Sequence, residues 1–126
     1  MFDHLLVILY VADMERSLGL YRDVLGGKET YRFPREGTPE HVELRIGAAI
    51  LALTSEAGRQ SHRLPPATPG NPFELAVRAK DTDAALVALL GAGCTPLVEA
   101  FDSSAGNRVG YVLDPDGNRI QIYSSR

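Results

Sequence analysis

The sequence predicts an α+β fold built from two tandem βαβββ modules. The order of one strand, one helix and three strands occurs twice, over about 1–54 and again over about 72–126. Between them, residues of about 55–71 are polar and include three prolines, which predicts a linker. The chain has 126 residues and is 44% hydrophobic, the size of one ordinary domain. Since neither half can bury both faces of its sheet alone, we expect a single domain over 1–126 with one shared core.

The first module begins with the apolar run "LLVILYV", which predicts a buried strand over 5–11. Asp13 follows as the expected N-cap of a helix, because its carboxylate can accept hydrogen bonds from the free amides of the first turn. Apolar residues recur at helical spacing until Gly26-Gly27, which ends the helix. Three further strands are predicted over about 28–33, 41–46 and 48–54.

The second module repeats this order. The segment "PFELAVRA" predicts a strand over 72–79, and Asp81 is the expected N-cap of the helix "TDAALVALLGAG". In the "DPDG" segment, Pro115 suits the second position of a tight turn and Gly117 the position that tolerates positive φ. Strands are predicted over about 95–101, 108–114 and 118–124, the last two joined by this turn.

Composition excludes several classes of protein. The net charge is only −3, without a long run of either sign, which argues against a nucleic-acid or anionic-membrane surface. The apolar run Leu5–Val11 lacks a basic flank and a cleavage site, so we expect neither a secretory signal nor a membrane span, and a cytoplasmic location. Cys94 is the only cysteine, which excludes an internal disulfide, and we expect a small buried apolar residue there.

Four segments of the chain resemble one protein family. "YVADMERSLGLYRDVLGG", the proline-containing linker, "ELAVRAKDTDAALVALLGAG" and "GYVLDPDGNRIQIY" are similar to the vicinal oxygen chelate superfamily, which includes glyoxalase I, extradiol dioxygenases, fosfomycin-modifying enzymes and bleomycin-resistance proteins. The resemblance covers essentially the whole chain. It implies that the two modules form a curved, cup-like mixed sheet with helices on the outside, completed in a homodimer. It does not imply one activity, because this scaffold serves both catalysis and ligand sequestration.

The resemblance also implies four positions for metal ligands, one on the first and last strand of each module. These positions fall on Leu6, Ala52, Glu74 and Gln121. Leucine and alanine cannot coordinate a metal, and two oxygen ligands without nitrogen make a poor transition-metal site. His4 precedes Leu6 by two residues, roughly 6.5 Å along a strand, so it could reach only an ion near the rim of the cup. We expect no metal cofactor; if a divalent metal binds, Glu74, Gln121 and His4 are its candidate ligands.

Alternation along the strands predicts which side chains face the cup. Leu75, Val77, Ile120 and Ile122 are expected to face the helices, and the alternate residues the cup. The predicted ligand-binding residues are Leu6, Ile8, Tyr10, Ala52, Glu74, Arg78, Arg119, Gln121 and Tyr123. Structural roles are open for several of them: Glu74 could pair with Arg78 or Arg119, and Gln121 could form hydrogen bonds within the cup. No convergent partner is apparent for His41 or His62.

Two classes of function follow. In the first, the protein is a metal-free binding module that sequesters or carries a small organic ligand, resembling the bleomycin-resistance proteins. In the second, it is an enzyme: a metal-dependent lyase, isomerase or dioxygenase acting on vicinal oxygens with Glu74 as ligand and base, or a metal-free enzyme in which Glu74 is the base and an arginine holds an anionic substrate. The first is preferred because of Leu6 and Ala52. The use of arginine over lysine suggests a bacterial source.

Overall fold

The computed structural model describes residues 1–68 and 70–126; Pro69, within the predicted linker, lies outside the described residues. The chain divides into two compact units, Met1–Thr68 and Pro69–Arg126. In the described part of the chain, each unit holds a four-stranded mixed sheet and at least one helix. The predicted α+β class and the tandem βαβββ order are therefore confirmed. The shared core and the single domain stay predictions.

The first module has strands β1 (Val7–Val11), β2 (Lys28–Phe33), β3 (His41–Ile46) and β4 (Ala49–Ser55), with helices α1 (Met14–Leu18) and α2 (Glu56–Ser61). The strand order is β1-β4-β3-β2, and β1 runs parallel to β4 while the other neighbours are antiparallel. Strands β2 and β3 match their predicted ranges. Strand β1 begins two residues later than predicted, so Leu6 and His4 precede it rather than lying on it.

Helix α1 is capped as predicted. The Asp13 carboxylate accepts a hydrogen bond of 3.1 Å from the backbone N–H of Arg16. The helix continues as a π-helical segment, Gly19–Val24, in which the N–H of Leu25 donates to the carbonyl of Leu20 at 2.9 Å. Leu20 and its neighbour Tyr21 in this segment are both buried. The expected end of the helix is also present, since Gly26 has φ of 78°.

The prediction of a linker over 55–71 is wrong at its start, because helix α2 occupies Glu56–Ser61. The Ser55 hydroxyl caps this helix by accepting from the N–H of Gly58 at 3.2 Å. Arg59 and Glu56 pair one turn apart, and Arg59 is only 8% exposed. The segment reads as polar because it packs through a glycine and an arginine rather than through apolar side chains. Hydrophobic periodicity therefore could not detect it.

The second module has strands β5 (Leu75–Arg78), β6 (Thr95–Asp102), β7 (Asn107–Leu113) and β8 (Arg119–Ser125), with helix α3 (Thr82–Gly91). Its strand order is β5-β8-β7-β6, and β5 runs parallel to β8. The Asp81 carboxylate caps α3 by accepting from the N–H of Ala84 at 3.1 Å, as predicted. The "DPDG" turn is confirmed: Gly117 has φ of 85° and donates to the Asp114 carbonyl at 3.0 Å. Strand β5 is shorter than predicted and begins just after Glu74.

The predicted apolar face of the second sheet is confirmed by burial. Ile120 and Ile122 of β8 are 0% and 1% exposed. Leu86 and Leu89 of α3 are also buried, and so is Cys94, as expected of a small apolar residue. Among the described residues, no helix combines the length and the apolar character needed to cross a membrane.

Candidate functional site

The first sheet brings distant side chains together in two rows. Strand pairing places Tyr10 beside Thr54, Thr54 beside His41, and His41 beside Phe33. A second row, two residues along each of β1, β4 and β3, contains Ile8, Ala52, Glu43 and Tyr31. Both rows lie on the face opposite the buried Leu9, Val42 and Leu53, because successive side chains of a strand point to opposite faces.

A cavity of about 380 Å³ lies over these rows. Three aromatic side chains, Tyr10, Tyr31 and Phe33, line it. Residues of α2 and of the turn that follows complete the lining, among them Arg59, His62 and Leu64. This volume and this mixture of aromatic and polar groups are typical of small-molecule sites. Of the predicted ligand-binding residues, Ile8 and Tyr10 belong to this cavity.

His41 is held at both ring nitrogens on this face. Its Nδ1 lies 2.8 Å from Thr54 Oγ1, and its Nε2 lies 2.9 Å from Glu43 Oε2. The Tyr31 ring meets the imidazole edge to face, with centroids 6.0 Å apart and planes at 62°. The expectation that His41 has no convergent partner is therefore wrong. Alternation in "HVEL" places His41 and Glu43 on one face, but the cross-strand partner Thr54 requires the register of β3 and β4.

Arg59 fixes the wall of the cavity beside α2. Its guanidinium donates to both carboxylate oxygens of Glu56, through Nε at 2.9 Å and through Nη2, and to the carbonyl of Leu64 through Nη1. The hydrogen bonds between Arg59 and Glu56 hold the pKa of Glu56 below its ordinary value and raise the pKa of Arg59. The Arg59 charge is therefore already paired, and the turn that carries Leu64 is tied to the helix.

The second sheet holds a separate polar cluster. The Gln121 amide nitrogen donates to Glu74 Oε2 at 3.1 Å and to the Tyr111 hydroxyl at 2.6 Å. Gln121 thus forms hydrogen bonds within its own sheet face, one of the roles left open by the sequence. Among the described residues, Glu74 forms no ion pair with Arg78 or Arg119, and both arginines are exposed. Tyr123 is half-buried and pairs in register with Arg78.

The residues at the four implied metal positions do not fit a transition metal. Leu6 and Ala52 have no donor atom, and Ala52 is fully buried. Glu74 and Gln121 supply oxygen only, and the Gln121 amide turns its nitrogen toward Glu74. Across residues 1–68 and 70–126, no group of three or more His, Cys, Asp or Glu side chains is placed to hold a metal ion. His4 is exposed and lies before β1.

One family of known proteins matches nearly the whole sequence. The model of the Glyoxalase/Bleomycin resistance protein/Dioxygenase superfamily matches residues 1–122. The chain belongs to this superfamily. No curated protein matches the sequence.

Solved structures of this superfamily's fold are similar over nearly the whole chain. A glyoxalase/bleomycin resistance protein/dioxygenase family enzyme from Burkholderia phytofirmans PsJN has a TM-score of 0.82 at 18% identity, covering 95% of this chain and 96% of its own. A hypothetical protein from S. aureus has a TM-score of 0.81 at 21% identity, covering 98% and 95%. The fosfomycin resistance protein FosX from Listeria monocytogenes, solved with Mn(II) and a dihydroxypropylphosphonic acid, has a TM-score of 0.73 at 13% identity, covering 100% and 93%. At these identities the similarity shows the fold alone.

Proposed function

We propose that this chain is a metal-free member of the superfamily that binds a small organic ligand on the open face of its first sheet. The observation that carries the proposal is the cavity of about 380 Å³ with Tyr10, Tyr31 and Phe33 in its lining. Aromatic rings supply a large contact area with little loss of side-chain entropy. The side chains of His41, Thr54 and Glu43 supply polar groups that can form directed hydrogen bonds with a ligand.

The chemistry of the donors supports a ligand site that works without a metal. The alternative, a metal-dependent lyase, isomerase or dioxygenase with Glu74 as ligand and base, needs three or four protein donors around one ion. Leu6 and Ala52 supply none. Glu74 is exposed, and its Oε2 accepts a hydrogen bond from the Gln121 amide rather than lying in a cluster of metal-binding side chains.

Metal content tests the metal-free part of the proposal. Protein purified without chelator, and again after incubation with excess Ni, Zn, Fe(II), Mn and Co followed by desalting, is expected to hold well below one metal per chain, because too few donors converge. Plasma mass spectrometry measures this content. Near-stoichiometric metal that disappears in Glu74→Ala would instead establish the metal-dependent alternative.

Ligand binding tests the cavity. A library of small aromatic fragments, screened by nitrogen-15 NMR, is expected to shift amide signals of β3 and β4. Tyr31→Ala should weaken the hits by about 1–2 kcal/mol, or roughly tenfold in Kd, because the ring forms one wall of the cavity. Phe101→Ala is the matched control, since Phe101 is 44% exposed against 49% for Tyr31 but lies on the second module. If both substitutions weaken the binding of the hits equally, or if neither does, the result would contradict binding in this cavity.

The proposal retains the homodimer and the bacterial cytoplasmic location expected from the sequence. Exposed apolar side chains on α3 and β6, among them Val87, Leu97 and Val98, support a contact between subunits. A monomeric mass in light scattering would remove the dimer from the proposal.

A further inference from the structure

We infer that the ligand of the first-module cavity is a planar organic cation or amine, and that Thr54 and Glu43 accept hydrogen bonds from its N–H groups. The inference rests on the proposed function and assigns a chemical class to the ligand of that same site. Three observations support it: the positions of the hydrogens in the hydrogen bonds among Thr54, His41 and Glu43, the charges in the cavity lining, and the aromatic side chains of the cavity wall.

The hydrogen positions follow from Glu43. A carboxylate only accepts hydrogen bonds, so the 2.9 Å contact with Glu43 Oε2 places a hydrogen on His41 Nε2. In a neutral imidazole the other nitrogen is then an acceptor. The Thr54 hydroxyl, 2.8 Å from Nδ1, must give its single hydrogen to His41. The Thr54 oxygen therefore has only lone pairs to offer a ligand.

The charges of the cavity lining also favour a cationic ligand. Glu43 uses Oε2 for His41, which leaves Oε1 as a further acceptor, and Glu40 is another acidic residue of the lining. Arg59 is the cation beside them, and its guanidinium is bonded to the Glu56 carboxylate and the Leu64 carbonyl. Within the described residues, Glu40 has no cationic partner. Among the described residues, Glu43 forms no ion pair with an arginine or a lysine, so a ligand in the cavity meets its carboxylate charge.

The aromatic side chains of the cavity wall also favour a cation. The face of an aromatic ring is negative and attracts a cation, whereas it repels an anion. Tyr10, Tyr31 and Phe33 all contribute to the lining and are 37%, 49% and 55% exposed, so their rings are accessible. A flat cation such as an amidinium can stack on a ring while its N–H groups reach Thr54 and Glu43.

Three probes of nearly identical shape separate the alternatives: benzamidinium, benzamide and benzoate. We expect benzamidinium to bind at least about tenfold more tightly than benzoate, because hydrogen bonds to a charged acceptor are the stronger kind and the anion gains none. Titrations followed by nitrogen-15 NMR at mildly alkaline pH, where histidine side chains are neutral, give each Kd. The largest shifts should fall on the amides of Glu43 and Thr54.

Variants locate the acceptors. Glu43→Gln keeps the shape and removes the charge, and should weaken benzamidinium about tenfold without weakening benzoate. Thr54→Val removes the hydroxyl acceptor and should act in the same direction. Glu99→Gln is the control, because it removes the same charge from exposed strand β6 of the second module, and it should leave every Kd unchanged. Thermal denaturation shows whether each variant is folded; should Thr54→Val fail to fold, Glu43→Gln decides alone.

The outcomes distinguish this inference from the proposed function. Benzoate binding as tightly as benzamidinium, or benzamidinium binding equally to Glu43→Gln, would overturn the ligand class and leave the cavity as a ligand site. Shifts confined to the second module would overturn the assignment to Thr54 and Glu43. If none of the three probes binds, the inference is overturned too. The proposed function is overturned only if the wider aromatic library also fails to shift the amide signals of β3 and β4.

Discussion

Gly58→Ala is expected to lower the free energy of unfolding by about 2 kcal/mol or more, although alanine is the better helix former. A Cβ at Gly58 would lie 2.7 Å from the carbonyl oxygen of Glu40 and 2.8 Å from the Thr54 side-chain methyl. The Glu40 carbonyl cannot retreat freely, because it accepts the N–H of Ser55 at 2.8 Å. The propensity gain of about 1 kcal/mol is therefore outweighed by overpacking.

Urea denaturation measures this loss, and Gly91→Ala is its control. Gly91 lies in α3, and a Cβ there would meet nothing within 4 Å. Gly91→Ala should raise the free energy of unfolding by about 0.5–1 kcal/mol. Because Glu40 and Thr54 both line the cavity, Gly58→Ala should also weaken fragment binding, whereas Gly91→Ala should not. A Gly58→Ala protein as stable as the parent would show that α2 does not pack closely on Glu40 and β4.

Asp114→Ala is expected to cost about 2–4 kcal/mol of stability. Asp114 is 3% exposed and opens the turn between β7 and β8. Its Oδ1 accepts from the N–H groups of Asp116 at 2.9 Å and Asn118 at 2.7 Å, and its Oδ2 accepts from the Asn118 side chain at 2.9 Å. Alanine leaves all three donors without this acceptor. Hydrogen bonds to charged groups contribute more than neutral ones, so the loss is large for an exchange in a turn.

Asp114→Asn provides the comparison for this second substitution. An asparagine retains one carbonyl oxygen for the two backbone donors and loses the acceptor for the Asn118 side chain. Its stability in urea denaturation should therefore lie between those of the parent and Asp114→Ala. The same turn sets the register that pairs Tyr111 with Gln121, so hydrogen exchange should increase along β7 and β8 in Asp114→Ala. Equal stability of Asp114→Ala and the parent would contradict a structural role for this carboxylate.

The fold could be predicted largely from local signals. Asp13 and Asp81 cap their helices, and the "DPDG" segment forms its turn, because each of these contacts spans only a few residues of chain. The helix α2 was not predictable in this way. Its Gly58 and Arg59 are read as linker residues from composition, and only close packing on the Glu40 carbonyl and the ion pair with Glu56 give them a helical role.

The candidate site was also predictable only in part. The sequence alone determined the order of the strands and of helices α1 and α3, the buried face of β8 and the lack of metal donors at Leu6 and Ala52, because these depend on residue type and on periods of two or 3.6 residues. Only the tertiary structure decided that Tyr10, Thr54, His41 and Phe33 form one row. That row joins four strands, and the partner of each residue is set by strand order and register, which depend on the packing of the whole sheet.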